Sequence, residues 1–261
     1  AAALMASGGV VILSRSIESG KGINDVVLFY VFVTAFAGLV VNYAIPRGMS
    51  AKDSTTKNTR LPLFKNKFLW LQAGVLLVCY CCYKGIDHYS LYFNQVLGMS
   101  ETKSAGLAAG IAYARPISAI AAGLIADKFR PSRSILVFFA LLIFAYLIPA
   151  TSSPDQKNWT LILTIAVSGA GVFALRGIYF AILEESKIPS SQTGLAVGLI
   201  SFIGYTPDIF FAPIAGRLLD SAPGIEGHQL YFQMLAFIAI LGLIISAILI
   251  YFLTQGKNSV R

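Results

Sequence analysis

Three cations and two carboxylates, Lys84, Arg115, Arg176, Asp87 and Asp208, stand inside long apolar runs of this chain. In a membrane a charge near the middle of such a run costs at least about 2.5 to 3.5 kcal/mol, so each must find a partner or line a wet cavity. Pairing leaves one positive charge over, and an uncompensated buried cation is the chemistry of anion binding. Arg115 offers a planar fork of donors suited to a carboxylate, sulfonate or phosphate, which a lysine meets only as a point charge. Arg115 is therefore the first candidate contact and Lys84 the second. Arg176 is the third, because it lies towards one end of its run, where it could pair with an acid near the helix terminus. Tyr80, Tyr83 and Asp87 follow the spacing of one helix face, with Lys84 and His88 one step round it. The plain alternative is a Lys84–Asp87 pair that neutralises itself. Asp208 follows Pro207 in an apolar run and is a candidate proton carrier, or else the ion-pair partner of a cation on another helix. Asp87 is the weaker carrier, because Lys84 three residues away holds it ionised.

These residues belong to a pattern that the chain states twice. Lys84-Gly85-Ile86 is echoed by Arg176-Gly177-Ile178, Gly106 and Gly110 by Gly194 and Gly198, and Gly123 to Asp127 by Gly216 to Asp220, at offsets of about 92, 88 and 93 residues. A proline, Pro116 and then Pro207, falls between the second and third motif of each copy. Four matches in register make an internal repeat the leading reading.

The elements that carry the repeat are membrane helices. Hydrophobic residues are 56% of the chain and charged residues 12%, and mean hydropathy is +0.72, which excludes an ordinary soluble domain. Seven apolar runs, at about 24–45, 67–95, 103–126, 133–150, 159–183, 192–215 and 229–254, are each long enough to cross a bilayer, which takes roughly 20 residues. They are continuous and do not alternate like the walls of a membrane barrel. Ala1 to Leu13 reads as the last part of another helix and not as a signal peptide, so the expectation is a fragment whose earlier spans are missing. Helix 103–126 shows small residues, Gly106, Gly110, Ala114, Ser118 and Ala122, at four-residue spacing, a stripe that lets helix backbones approach.

The net charge of +8 would suggest nucleic acid in a soluble protein, but here the basic residues sort by loop. Alternate connections at 46–67, 127–133, 184–191 and 255–261 hold twelve Lys and Arg against five in the others, which places the first set in the cytoplasm. No nucleic-acid partner is expected; lipid is. The polar segment after Pro46 has no apolar period and reads as a cytoplasmic linker. The expected division is 1–45 as the end of one helical half, 46–66 as linker and 67–261 as a six-helix half. Six spans and two copies give three crossings per copy, so the second copy is inverted, the building unit of many secondary transporters. Cys79, Cys81 and Cys82 point to different faces of one helix and cannot converge on a metal. No cofactor is expected.

At the end of helix 103–126 stands Gly123-Leu-Ile-Ala-Asp127-Lys128-Phe129-Arg130-Pro131-Ser132-Arg133. It resembles the Gly-x-x-x-Asp-Arg/Lys-x-Gly-x-x-Arg loop of the major facilitator superfamily, with Arg130 standing where that pattern has Gly. The stretch from Arg176 through Glu184, Glu185 and Pro189 to Gly204-Tyr205-Thr206-Pro207-Asp208 is similar to a bacterial branch grouped with nitrate/nitrite porters and organic-anion transporters. The resemblance implies an all-α membrane protein, a helical bundle of inverted triple-helix repeats, in the bacterial inner (plasma) membrane. The chain would correspond to the end of helix five and helices six to twelve, with its N-terminal half as a missing partner. It also implies that Gly123, Asp127, Lys128 and Arg133 form a gating loop, and that helices seven, eight, ten and eleven line a central cavity.

The expected function is secondary transport of a small organic or inorganic anion by alternating access, coupled to protons or to exchange, with no enzymatic step. Arg115, Lys84, Arg176, Tyr80, Tyr83, Asp87, Tyr179 and Tyr205 would bind substrate, the tyrosines meeting its non-ionic part, and Asp208 or Asp87 would couple the proton. A seven-helix receptor or photoreceptor is the alternative. It lacks a Schiff-base lysine in 229–254 and has no use for an inverted repeat.

Overall fold

The computed structural model describes residues 23–44, 64–153, 158–186, 188, 190–222 and 224–258, so Ala1 to Leu13 and most of the expected linker lie outside the described residues. The chain divides into two compact units between Lys57 and Asn58, within the expected linker. In the first unit a single helix is described, α1, Ile23–Ala44. The second unit holds six helices long and apolar enough to cross a membrane. Among the described residues there are helices and turns but no strand. Every backbone polar group in a bilayer must be satisfied within the chain, and continuous apolar helices do this. Ile117, Leu124, Phe144, Phe202 and Ile209 nevertheless stay exposed, an apolar surface for lipid or another protein to cover.

The six spans fall into two triplets with the same internal architecture. The first span of each triplet is broken by a 3-10 turn. Lys67–Lys84 (α2) passes through Gly85–His88 into Tyr89–Gln95 (α3), and Asn158–Ile178 (α7) passes through Tyr179–Ala181 into Ile182–Glu185 (α8). The second span of each is broken just before its proline. Glu101–Tyr113 (α4) gives way to Arg115–Phe129 (α5), and Ser190–Gly204 (α9) to Pro207–Ser221 (α10). Pro116 and Pro207 lack the N–H that would carry the ladder across and crowd the turn before them. The third span is one uninterrupted helix, Pro131–Ala150 (α6) or Ile225–Asn258 (α11).

Packing repeats the same symmetry. The two third spans, α6 and α11, pack along each other; the second span of each triplet packs on the first span of the other, α5 on α7 and α9 on α2. Each third span also packs on the other triplet's first, α6 on α7 and α11 on α2. The core between them is aromatic, with Tyr89, Tyr92, Phe93, Phe139, Tyr146, Tyr231 and Phe232 fully buried.

The broken turns are held from outside. The Tyr231 hydroxyl donates to the Gly85 carbonyl at 2.9 Å, and the buried Gln72 amide donates to the Tyr179 carbonyl at 3.4 Å, so a helix of the opposite triplet supports each interruption. The glycine after each repeated cation has a packing reason. A Cβ on Gly177 would lie 3.0 Å from the Ala119 Cα, and one on Gly85 2.8 Å from a Leu235 methyl. The stripe on 103–126 behaves differently. Among the described residues, nothing beyond the adjoining turns of the same helix comes within 4 Å of where a Cβ on Gly106 or Gly110 would stand, and their echoes Gly194 and Gly198 are equally open.

The loop that resembles a family motif makes its turn without glycine. Arg130 adopts φ 75° and ψ 140°, between the end of α5 and Pro131 at the start of α6. Proline suits a first helical position because its missing N–H would have had no partner there. Glu185, at the end of α8, reaches across to accept from the Ser132 backbone N–H at 2.8 Å and from its hydroxyl at 2.9 Å, a remote carboxylate capping the positive end of α6. Asp127 and Arg133 are exposed, Lys128 lies over the Phe129 ring at 5.5 Å, and Gly123 faces open space. Nothing in the sequence around Glu185 marks it as a cap for a helix that begins more than fifty residues earlier.

Candidate functional site

Each of the four interrupted spans carries charged or tyrosyl side chains at or within two turns of its break. From the first come Tyr80, Tyr83, Lys84 and Asp87, the last inside the 3-10 turn; from the second, Arg115, first residue of α5. The third supplies Arg176 and Tyr179, and the fourth Tyr205 and Asp208 on either side of Pro207. All nine residues singled out as binding or coupling groups are joined by direct contacts into one cluster.

Its acidic pole is built around Lys84. The ammonium lies 2.8 Å from Asp87 and 3.7 Å from Asp208, bridging its own helix and α10. The Tyr80 hydroxyl donates to both oxygens of Asp208, at 3.1 and 2.9 Å. Both structural alternatives from sequence are therefore present as contacts: the Lys84–Asp87 pair, and Asp208 facing a cation on another helix. Lys84 is 24% exposed, whereas the side chains of Asp87 and Asp208 are 54% and 53% exposed. The cation sits inside and the two carboxylates stand towards open space.

The basic pole is built around the Tyr83 ring. The Arg176 guanidinium carbon lies 3.8 Å from the ring centroid and that of Arg115 5.7 Å from it, with an Arg115 N–H at 3.5 Å from the Tyr83 hydroxyl. Arg115 also lies over Phe173 at 4.9 Å, and Arg176 is 5.8 Å from the Tyr80 ring. Aromatic faces hold guanidinium groups by about 0.5–2 kcal/mol each while leaving their in-plane donors free. Among the described residues neither arginine has a carboxylate within ion-pair distance. The alternative pairing of Arg176 with an acid near its helix end is not found among the described residues, and Arg176 has the closer ring contact of the two. Phe173 was missed because a phenylalanine in an apolar run carries no signal of its own.

Tyrosines connect the poles. Tyr80 meets Tyr205 edge to face at 4.8 Å and Tyr83 at 5.6 Å, and the Tyr179 and Tyr205 hydroxyls are 3.1 Å apart. His88 turns away and packs on Tyr231 at 5.3 Å. Cys79, Cys81 and Cys82 are buried free thiols on the same helix. The arrangement offers free donors at one pole, free acceptors at the other and aromatic surface between.

A family model described as Major Facilitator Superfamily matches residues 5–212. Among curated proteins, the chain is similar to Inner membrane protein YihN of Escherichia coli (strain K12), 27% identical over 253 residues, which cover 91% of this chain and 59% of that protein. It is also similar to Inner membrane protein YqcE of the same organism, 23% identical over 227 residues, covering 81% of this chain and 53% of the relative. The chain thus spans somewhat more than half the length of these relatives. No solved structure matches it.

Proposed function

Because the chain belongs to the Major Facilitator Superfamily, we propose that its six-helix unit is the C-terminal half of a secondary transporter that carries a small anion by alternating access. The observation that carries this reading is the state of the three cations. Lys84 is compensated by Asp87 and Asp208, whereas Arg115 and Arg176 flank Tyr83 with no carboxylate in reach among the described residues. Two pre-positioned guanidinium groups on different helices hold an anion with geometry as well as charge. An N-terminal half would supply the facing wall.

Coupling belongs at the other pole. Protonation of Asp208 would remove one of the two charges that hold Lys84 and would change the hydrogen bond from Tyr80. A proton taken there loosens a contact between the first and fourth interrupted helices. Exchange of one anion for another would leave this contact unchanged.

The test is counterflow of labelled anions into proteoliposomes containing the complete protein, with and without a proton gradient. Saturable, anion-specific counterflow that Arg115→Lys weakens supports the reading. Uptake indifferent to Arg115→Lys and Arg176→Lys, or carried equally by uncharged solutes, rejects it.

A further inference from the structure

Asp87 and Asp208 are the part of the cluster that a bare anion does not explain. Resting on the anion-transport reading, we infer that the substrate is a hydroxylated organic monoanion, such as a sugar acid or polyol acid, whose charge lies at Arg115 and Arg176 and whose hydroxyls lie at Asp87 and Asp208.

An ionised carboxylate only accepts, through roughly four lone-pair directions on two oxygens. Asp87 receives Lys84 on one oxygen, and Asp208 receives the shared Tyr80 hydroxyl and a longer approach from Lys84. Half of each side chain remains exposed. Whatever fills that space must bring donors. A nitrate-like or unsubstituted carboxylate ligand brings none and would be repelled there.

Two kinds of donor remain, hydroxyl and ammonium, and the charge count separates them. Lys84, Arg115 and Arg176 against Asp87 and Asp208 leave one positive charge. A hydroxylated monoanion neutralises it, whereas a zwitterion leaves it uncompensated in a low-dielectric site. Tyr80, which touches both poles, and Tyr205 edge-on against it suit the C–H faces of a polyol chain, and the Tyr205 hydroxyl, paired with that of Tyr179, adds a polar group beside them.

The test uses a matched set of six-carbon probes on the complete protein in detergent, reading the ligand-induced rise in thermal midpoint and then the dissociation constant. Gluconate and glucuronate carry both charge and hydroxyls; hexanoate keeps only the charge, glucitol only the hydroxyls, and 6-aminohexanoate is the zwitterion. The expected result is a rise of roughly 3 °C or more with a hydroxylated acid at saturation and little with the other three. Asp87→Asn and Asp208→Asn should each reduce the preference for the hydroxylated acid over hexanoate by about tenfold or more, the loss expected for hydrogen bonds to a charged acceptor. The preference is read as the ratio of the two acids' dissociation constants on one and the same variant, so that any stability lost with the Lys84 contact cancels. Arg115→Lys should weaken both acids alike. Hexanoate or 6-aminohexanoate matching the hydroxylated acids, or no response to any hydroxylated acid, overturns this inference. Glucitol matching gluconate would instead overturn the anion reading beneath it.

Discussion

Replacing Arg130 by glycine should stabilise the protein, and the size of the gain can be worked from one backbone angle. Arg130 has φ 75° and ψ 140°, in a region that side chains with a Cβ enter at a cost of about 1–3 kcal/mol. Glycine avoids that cost but has more freedom to lose on folding, an opposing term of about 0.5–1 kcal/mol. The net expectation is about 1 kcal/mol in favour of glycine. For a chain of this size that corresponds to roughly 2–4 °C in thermal midpoint. Arg130→Ala is the necessary control: it removes the guanidinium as Arg130→Gly does but keeps the Cβ, so the difference between the variants isolates the backbone. Cys79, Cys81 and Cys82 provide the assay, because all three thiols are buried and free and will react with a fluorogenic maleimide only as the bundle opens. A glycine variant melting at or below the alanine variant would refute the strain argument.

Gly177→Ala brings a methyl to 3.0 Å from the Ala119 Cα, a backbone atom that cannot rotate away, and should cost about 1–3 kcal/mol, read in the same thiol assay. Glu185→Ala uncaps α6 by removing the acceptor of two Ser132 hydrogen bonds and should lower stability by about 1–2 kcal/mol, whereas Glu185→Gln should retain part of it. Arg115→Lys should leave the unliganded melting temperature unchanged while weakening anion binding by about tenfold, through loss of the planar fork; lost stability with unchanged affinity would make Arg115 structural. Asp208→Asn should abolish acceleration of uptake by an inward proton gradient, read as the ratio of uptake with and without the gradient at saturating anion; a ratio unchanged from the parent removes Asp208 from the coupling step.

Much of this architecture was legible in the residues, for identifiable reasons. The spans stood out because a membrane demands about 20 apolar residues in a row, and Pro116 and Pro207 marked the second-span breaks because proline cannot continue the ladder. The 3-10 turns at Gly85–His88 and Tyr179–Ala181 were not legible, since their support comes from Tyr231 and Gln72 on distant parts of the chain. The charged residues were found because any charge in an apolar run is conspicuous. Their contacts were not. Arg176 ranked last by its position along its helix, yet it stacks on Tyr83, a relation set by how two triplets pack. The turn at Arg130 kept its left-handed backbone although glycine is absent, because Pro131 and the Glu185 cap define the start of α6.

The interruptions also say where the unit can flex. A helix bends where its ladder of hydrogen bonds is broken, and four of the six spans are broken at the level of the charged cluster, while α6 and α11 run unbroken side by side. The unbroken pair is a keel; the four others are jointed, and each joint lies at or within two turns of a residue of the proposed site. A molecule reaching from Arg115 to Asp208 would act as a splint across two joints, and one reaching from Arg176 to Asp87 would span the other two. Filling the site and stiffening the frame would then be a single event, and emptying it would return the freedom to bend.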